Sequence, residues 1–202
     1  MKNLKISIIT VVKNNKDTIE KNILSLINQN YKNYEHIIID GGSEDGTIEV
    51  IKKYQKNIKY FISEKDNGIY EAMNKGIDKV EGDIIGILNA DDYYFPEALD
   101  IVKKYFEKYE EIDFLFGSVK KHTIQHGFYP KKIFWTFGFY SSHSVGFFIK
   151  SQSQKKLGYY NTKYKYSSDY DLFFRMIVKF KMKGIATNKN EILGYFGPSG
   201  LS

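Results

Sequence analysis

The chain has 202 residues, a net charge of +6 and no cysteine, which excludes a disulfide framework, thiolate metal centres and a cysteine nucleophile. Its composition, 42% hydrophobic and 27% charged with 3 prolines, is that of a globular protein of one domain, able to bury roughly 70% of its unfolded surface. No apolar run approaches the roughly 20 residues of a membrane span, and Lys13 closes the apolar opening too early for a signal peptide, so a cytoplasmic location is expected.

The first half alternates predicted strands and helices. Lys5 to Val12 is a β-branched run suited to a strand buried on both faces. Asp17 to Asn28 follows as a helix, with Asp17 as N-cap and Ile19, Ile23, Leu26 and Ile27 on one face. Strands are predicted at Tyr34 to Asp40, Ile58 to Ser63 and Asp83 to Leu88, with helices at Thr47 to Tyr54, Ile69 to Lys79 and from about Pro96. This order makes a Rossmann-like, mostly parallel sheet flanked by helices. The second half is less regular. It reads as a strand at Phe114 to Val119, a hairpin within Thr123 to Trp135, a strand at Ser144 to Ile149, a helix at Ser168 to Phe180 and a strand at Glu191 to Phe196.

Ligands of an open parallel sheet bind beyond the carboxyl ends of its strands. Those positions hold Thr10 and Lys13-Asn14-Asn15, then Asp40, then Glu64 to Gly68, then Asn89, Asp91 and Asp92. Adjacent carboxylates at a strand end suit a hard divalent ion that also holds phosphate oxygens. Asp40 can accept the N–H of a nucleobase, and Thr10 or Asn14 can meet the ribose or base. Neither GxxxxGK[ST] nor GxGxxG occurs, which speaks against an NTPase or a dinucleotide oxidoreductase. In the helix after Ser168, Leu172, Phe173, Met176, Ile177 and Phe180 share an arc that must face the core. Asp169 lies at the centre of that arc, as a cap or an inward-facing general base, while Asp171 and Arg175 sit opposite as a surface pair.

The residues resemble inverting glycosyltransferases of family 2, with the GT-A fold, of the kind that assemble bacterial surface polysaccharides. The resemblance rests on ISIITVVKNNKDTIEKNILSLINQNYKNYEHIIIDGGSEDGT, on SEKDNGIYEAMNKGI followed by GDIIGILNADD, and on HSVGFFIKSQSQKKLGYYNTKYKYSSDYDLFFRM. It implies a single domain over 1–202, with a nucleotide-binding half at 1–110 and a mixed, acceptor-binding half at 111–202. It implies that Thr10, Asn14 and Asp40 contact the nucleoside. Asn67, Gly68, Asn89 and Ala90 complete the donor site, Asp91 ligates Mn2+ or Mg2+ on the diphosphate with Asp92 in support, and Asp169 is the base.

The implied partners are a nucleoside-diphosphate sugar, UDP-linked on family frequency, and a saccharide or lipid-linked saccharide acceptor. The net charge mildly favours contact with the inner membrane face. No nucleic acid is expected, because no dense basic run or zinc finger is present. Two positions depart from the family: Asn89 stands where an acid is common, and Gly41 replaces a frequent second Asp, leaving base recognition to Asp40. Family members also continue past Gly200-Leu201-Ser202, which implies a chain shortened at its C-terminus. His143 reads as a partly buried, hydrogen-bonded histidine and Tyr70 as packing. Phe134, Trp135, Phe137, Phe139 and Tyr140 read as core, with a sugar platform or lipid contact as the alternative. A nucleotidyltransferase or a non-catalytic nucleotide-sugar binding protein is the alternative function; the first lacks a glycine-rich loop at Thr10-Val11-Val12-Lys13.

Overall fold

A computed structural model describes residues 3–136 and 138–197. Phe137 and the Gly200-Leu201-Ser202 terminus, which entered the reading above, lie outside the described residues. In chain order the elements are β1 (Ile6–Val12), α1 (Lys16–Ile27), β2 (Tyr34–Asp40), α2 (Thr47–Lys53), β3 (Tyr60–Ser63), α3 (Ile69–Ile77), β4 (Ile84–Ile87), β5 (Tyr93–Tyr94) and α4 (Ala98–Lys108). Then follow β6 (Phe114–Phe116), β7 (Ser118–Lys120), β8 (Ile124–Gln125), β9 (Phe147–Lys150), α5 (Ser151–Leu157), α6 (Ser168–Phe174), β10 (Gly184–Ala186) and β11 (Ile192–Tyr195).

Seven strands form the central sheet in the order β10-β6-β9-β4-β1-β2-β3. β4, β1, β2 and β3 run parallel, and β9 lies antiparallel between β4 and β6. Every residue of β1 is buried, because helices cover both faces of a parallel sheet; this explains the unbroken Ile/Val run. A second sheet, β5-β11-β7-β8, packs beside the first.

Four expectations change. The run at Phe114 to Val119 is two strands, which part at Gly117 and enter different sheets. The predicted hairpin is the two-residue β8 and a 3-10 turn at Pro130–Phe134. Asp17 lies in the first turn of α1, and Asn15 holds the cap position. The last helix continues from α6 as a π-helical segment, Arg175–Lys179. Its wider turn shifts the phase of the arc, so Leu172, Phe173 and Met176 are buried while Phe180 is exposed.

Candidate active site

The loops after β1, β3 and β4 enclose a cavity of about 700 Å3. It is lined by Lys13, Asn14 and Asn15 from the first loop, Asp66, Asn67 and Gly68 from the second, and Asn89, Ala90 and Asp91 from the third. Six residues expected at a donor site, Asn14, Asn67, Gly68, Asn89, Ala90 and Asp91, are therefore brought together. Each sits where a parallel strand ends and its chain turns back, which is why polar turn residues collect there.

Three expected residues do not line the cavity. Thr10 is fully buried inside β1; its hydroxyl is bonded to Nε2 of His36 at 2.9 Å and to Oδ1 of Asn22 at 3.2 Å. Asn22 in turn donates to the carbonyls of Asn89 (2.8 Å) and Asp92 (3.0 Å). Thr10 thus braces the loop after β4 from below.

Asp40 is also fully buried. Its carboxylate accepts the backbone N–H groups of Gly42 (3.1 Å) and Ser43 (2.9 Å), the hydroxyl of Ser63 (2.6 Å) and that of Ser43. It fastens the turn after β2 and has no face toward a base. Asp92 is 2% exposed, accepts the hydroxyl of Ser144 and takes the N–H of Gly197 at 2.7 Å. Burial pushes its carboxyl up to about 7. It ties the loop to the end of β11 and offers nothing to a cation in the cavity.

Of the polar residues after β4, Asn89 and Asp91 line the cavity. Oδ1 of Asn89 is buried and accepts no hydrogen bond from a described residue, so it has room to meet a donor or a cation. Among the described residues no three His, Cys, Asp or Glu side chains converge on one point. A hard divalent ion fits this set, since magnesium and manganese take few protein oxygens and complete their shell with phosphate and water.

A second cavity, of about 720 Å3, shares Asn89 and Ile69 with the first. Asp169 opens into it from the first turn of α6. Its carboxylate accepts hydrogen bonds from the hydroxyls of Tyr70 (3.2 Å) and Tyr140 (3.4 Å) and from the N–H of Tyr170 (2.9 Å). Burial and the charge of Asp169 push the Tyr70 phenol up to about 12 and raise Tyr140 as well, so both stay protonated and donate.

His143 lines the same cavity, with Nε2 3.0 Å from the hydroxyl of Tyr160; burial lowers its pKa against the pull of Asp169. Tyr70 stacks on Tyr160 and is more than packing. Nor are Asp171 and Arg175 a mere surface pair: Arg175 bonds Asp171 at 2.8 Å and the carbonyls of Leu157 and Tyr159 at 2.7 Å, fixing α6 against the end of α5. The aromatic patch divides. Phe139 is core and Tyr140 lines the second cavity, but Phe134 and Trp135 are 59% and 80% exposed.

The sequence placed Asp66 at a strand end and Tyr140 in the aromatic patch without giving either a role, and it marked Ser144 only as the start of a strand. Asp66 did carry a signal, a carboxylate directly after a strand of the parallel sheet; the other two are placed by chain folding that no local pattern records.

A parallel sheet interrupted by one antiparallel strand, with an Asn-Ala-Asp loop and an inward carboxylate at its ligand edge, is a GT-A-like α/β fold. Residues 7–180 match glycosyl transferase family 2, and the chain belongs to that family. It is 31% identical over 191 residues to an uncharacterized glycosyltransferase of Rickettsia typhi, a match that covers 85% of this chain and 58% of the relative. In fold it is similar to Staphylococcus aureus TarS in complex with UDP-GlcNAc (TM-score 0.76, 17% identity, 96% of this chain and 58% of that one). It is similar too to the mannosyltransferase PcManGT of Pyrobaculum calidifontis in complex with GDP-Man and Mn2+ (TM-score 0.73, 15% identity, 96% and 58%). At these identities the likeness is one of fold. The chain spans less than two thirds of the length of the relatives it matches.

Proposed function

We propose that the protein transfers a sugar, with inversion, from a nucleoside-diphosphate sugar to a saccharide or lipid-linked saccharide, as a step in surface-polysaccharide synthesis. The observation that carries this reading is the junction at Asn89. Asp91 borders one cavity and Asp169 the other, and the two cavities share Asn89 and Ile69. A donor filling the first cavity ends its diphosphate at Asp91 and presents its sugar at the junction; an acceptor filling the second meets Asp169.

In this reading Asp169 takes the proton of an acceptor hydroxyl. The oxygen's electron pair forms the new bond to the anomeric carbon, and the bond to the diphosphate breaks with its pair on the leaving group. One displacement inverts the centre, and a positioned base contributes about 10²–10⁴-fold. Tyr70 and Tyr140 orient the carboxylate through their hydroxyls. A divalent cation held by Asp91 and Asn89, Mn2+ or Mg2+, supplies Lewis-acid neutralisation of the departing diphosphate. UDP donors are supported by the UDP-GlcNAc complex of TarS, and a metal by the Mn2+ complex of PcManGT.

A lipid-linked acceptor at the inner membrane face is supported by exposed Phe134 and Trp135 beside exposed Lys131 and Lys132 on one turn. The contact proposed is peripheral; no helix among the described residues is long and apolar enough to cross a membrane.

The test is to incubate the protein with nucleotide sugars and Mn2+ and to follow the nucleoside diphosphate. Slow release, accelerated by a saccharide acceptor, supports the reading. Saturable binding with no release on any donor makes the protein a binding module instead.

A further inference from the structure

The donor site raises a question of charge: which group reads the nucleobase? Asp40 is fully buried, with its carboxylate engaged by four hydrogen bonds from Gly42, Ser43 and Ser63. The next residue, Gly41, has no side chain to offer. The space in front of it is nonetheless filled. A Cβ at residue 41 would stand 2.6 Å from Oδ2 of Asp66 and 3.2 Å from its Cγ, so the carboxylate of Asp66, reaching over from the loop after β3, occupies the place a side chain at position 41 would take.

Asp66 lines the first cavity and is only partly buried. Its Oδ1 accepts the N–H of Gly68 at 3.0 Å, which sets the carboxylate plane. Its Oδ2 accepts no hydrogen bond from a described residue. A carboxylate oxygen only accepts hydrogen bonds, so a base bonded at this end brings an N–H. Position matters as well. Gly41 follows β2 and Asp91 follows β4, with β1 between them, which separates the two ends by two inter-strand spacings, about 10 Å. That is the scale of a nucleotide from its base to its diphosphate.

We propose that Asp66 is the base-reading residue of the donor site: its Oδ2 accepts the ring N–H of a uracil, thymine or guanine base, in the space left by Gly41. The inference rests on the donor-site reading above and deepens it. Cytosine and adenine carry no ring N–H at the corresponding edge, so nucleotides of these bases bind more weakly. The swap also requires residue 41 to be small, because any side chain there would displace the carboxylate.

Isothermal calorimetry with Mn2+ tests this on the whole 202-residue protein, using UDP, GDP, CDP and ADP, and then the tighter of UDP and GDP methylated at its ring N–H. A hydrogen bond to a charged group corresponds to roughly ten- to hundredfold in affinity. Methylation is expected to weaken binding to the native protein by that factor. Asp66→Ala is expected to lose a similar factor on the unmethylated nucleotide and to abolish the methylation penalty. Gly41→Ala, which leaves Asp66 in the chain and whose backbone tolerates a side chain, is expected to weaken binding in the same direction. Thermal unfolding of each variant separates a lost fold from a lost contact, and the methylated ligand needs no variant at all. If Asp66→Ala binds as the native protein does, with the methylation penalty intact, the assignment to Asp66 is wrong and the donor site stands. If the native protein binds none of the four nucleotides, the donor-site reading falls with it.

Discussion

Oδ1 of Asp169 lies 3.2 Å from the hydroxyl of Tyr70, a contact between the first turn of α6 and the first turn of α3. It joins the two halves of the sequence at the wall of the second cavity, and with the Tyr140 hydroxyl and the Tyr170 N–H it aims the carboxylate. Tyr70→Phe removes this donor and leaves the ring stacked on Tyr160. We expect turnover to fall by about three- to tenfold, the scale of one net hydrogen bond, with nucleotide affinity unchanged. Steady-state kinetics beside calorimetry checks both halves of that statement.

The two carboxylates of the Asp91-Asp92 pair have different work, and substitution should separate them. Asp91→Ala is expected to abolish the dependence of nucleotide binding on Mn2+, read by calorimetry with and without the ion. Asp92→Ala strands the hydroxyl of Ser144 and the N–H of Gly197 in a buried site. Its expected cost is about 1–3 kcal/mol of stability, read as a lower denaturant midpoint.

His36 makes stability depend on acid. It is 2% exposed, and burial lowers its pKa from 6.5 to about 3. Between those values the unfolded chain binds a proton that the folded chain refuses, so stability rises with pH across the window. This contribution is whole above pH 6.5 and is lost as pH falls, at about 1.4 kcal/mol per pH unit. His36→Gln should retain a bond to Thr10 and flatten the profile between pH 7 and pH 5, measured by urea midpoints.

Phe134 and Trp135 test the membrane-facing part of the reading. Sedimentation with anionic vesicles should carry the native protein down. Phe134→Ala with Trp135→Ala should weaken that association by roughly tenfold or more, given the apolar area withdrawn, without changing donor binding.

Strand β2 was legible to the residue, Tyr34–Asp40, because a short, β-branched isoleucine run bounded by turn residues suits a buried strand. Helix α5, SQSQKKL, was not, because it offers no apolar period; it is held by its place after β9. β10 is three residues long and, among the described residues, pairs with β6 alone, a partner about seventy positions away in the chain.

The placing of Asn14, Asn67, Gly68, Asn89 and Asp91 around the first cavity could be read from strand ends alone. Thr10, Asp40 and Asp92 have the right chemistry in the wrong direction: residue type is written in the sequence, but the partners that engage it, His36, Ser43, Ser63 and Ser144, are set by packing. Asp66 shows the converse. Its position depends on an empty volume at Gly41, which no pattern within either loop records.

The proposed transfer depends on Asp169 taking the proton in a donor–acceptor site centred on Asn89. The most direct test is Asp169→Asn, with turnover of a nucleotide sugar and calorimetric affinity for its nucleoside diphosphate measured on one preparation. Turnover is expected to fall by about 10²–10⁴-fold with affinity unchanged. Undiminished turnover in the variant would contradict that role for Asp169.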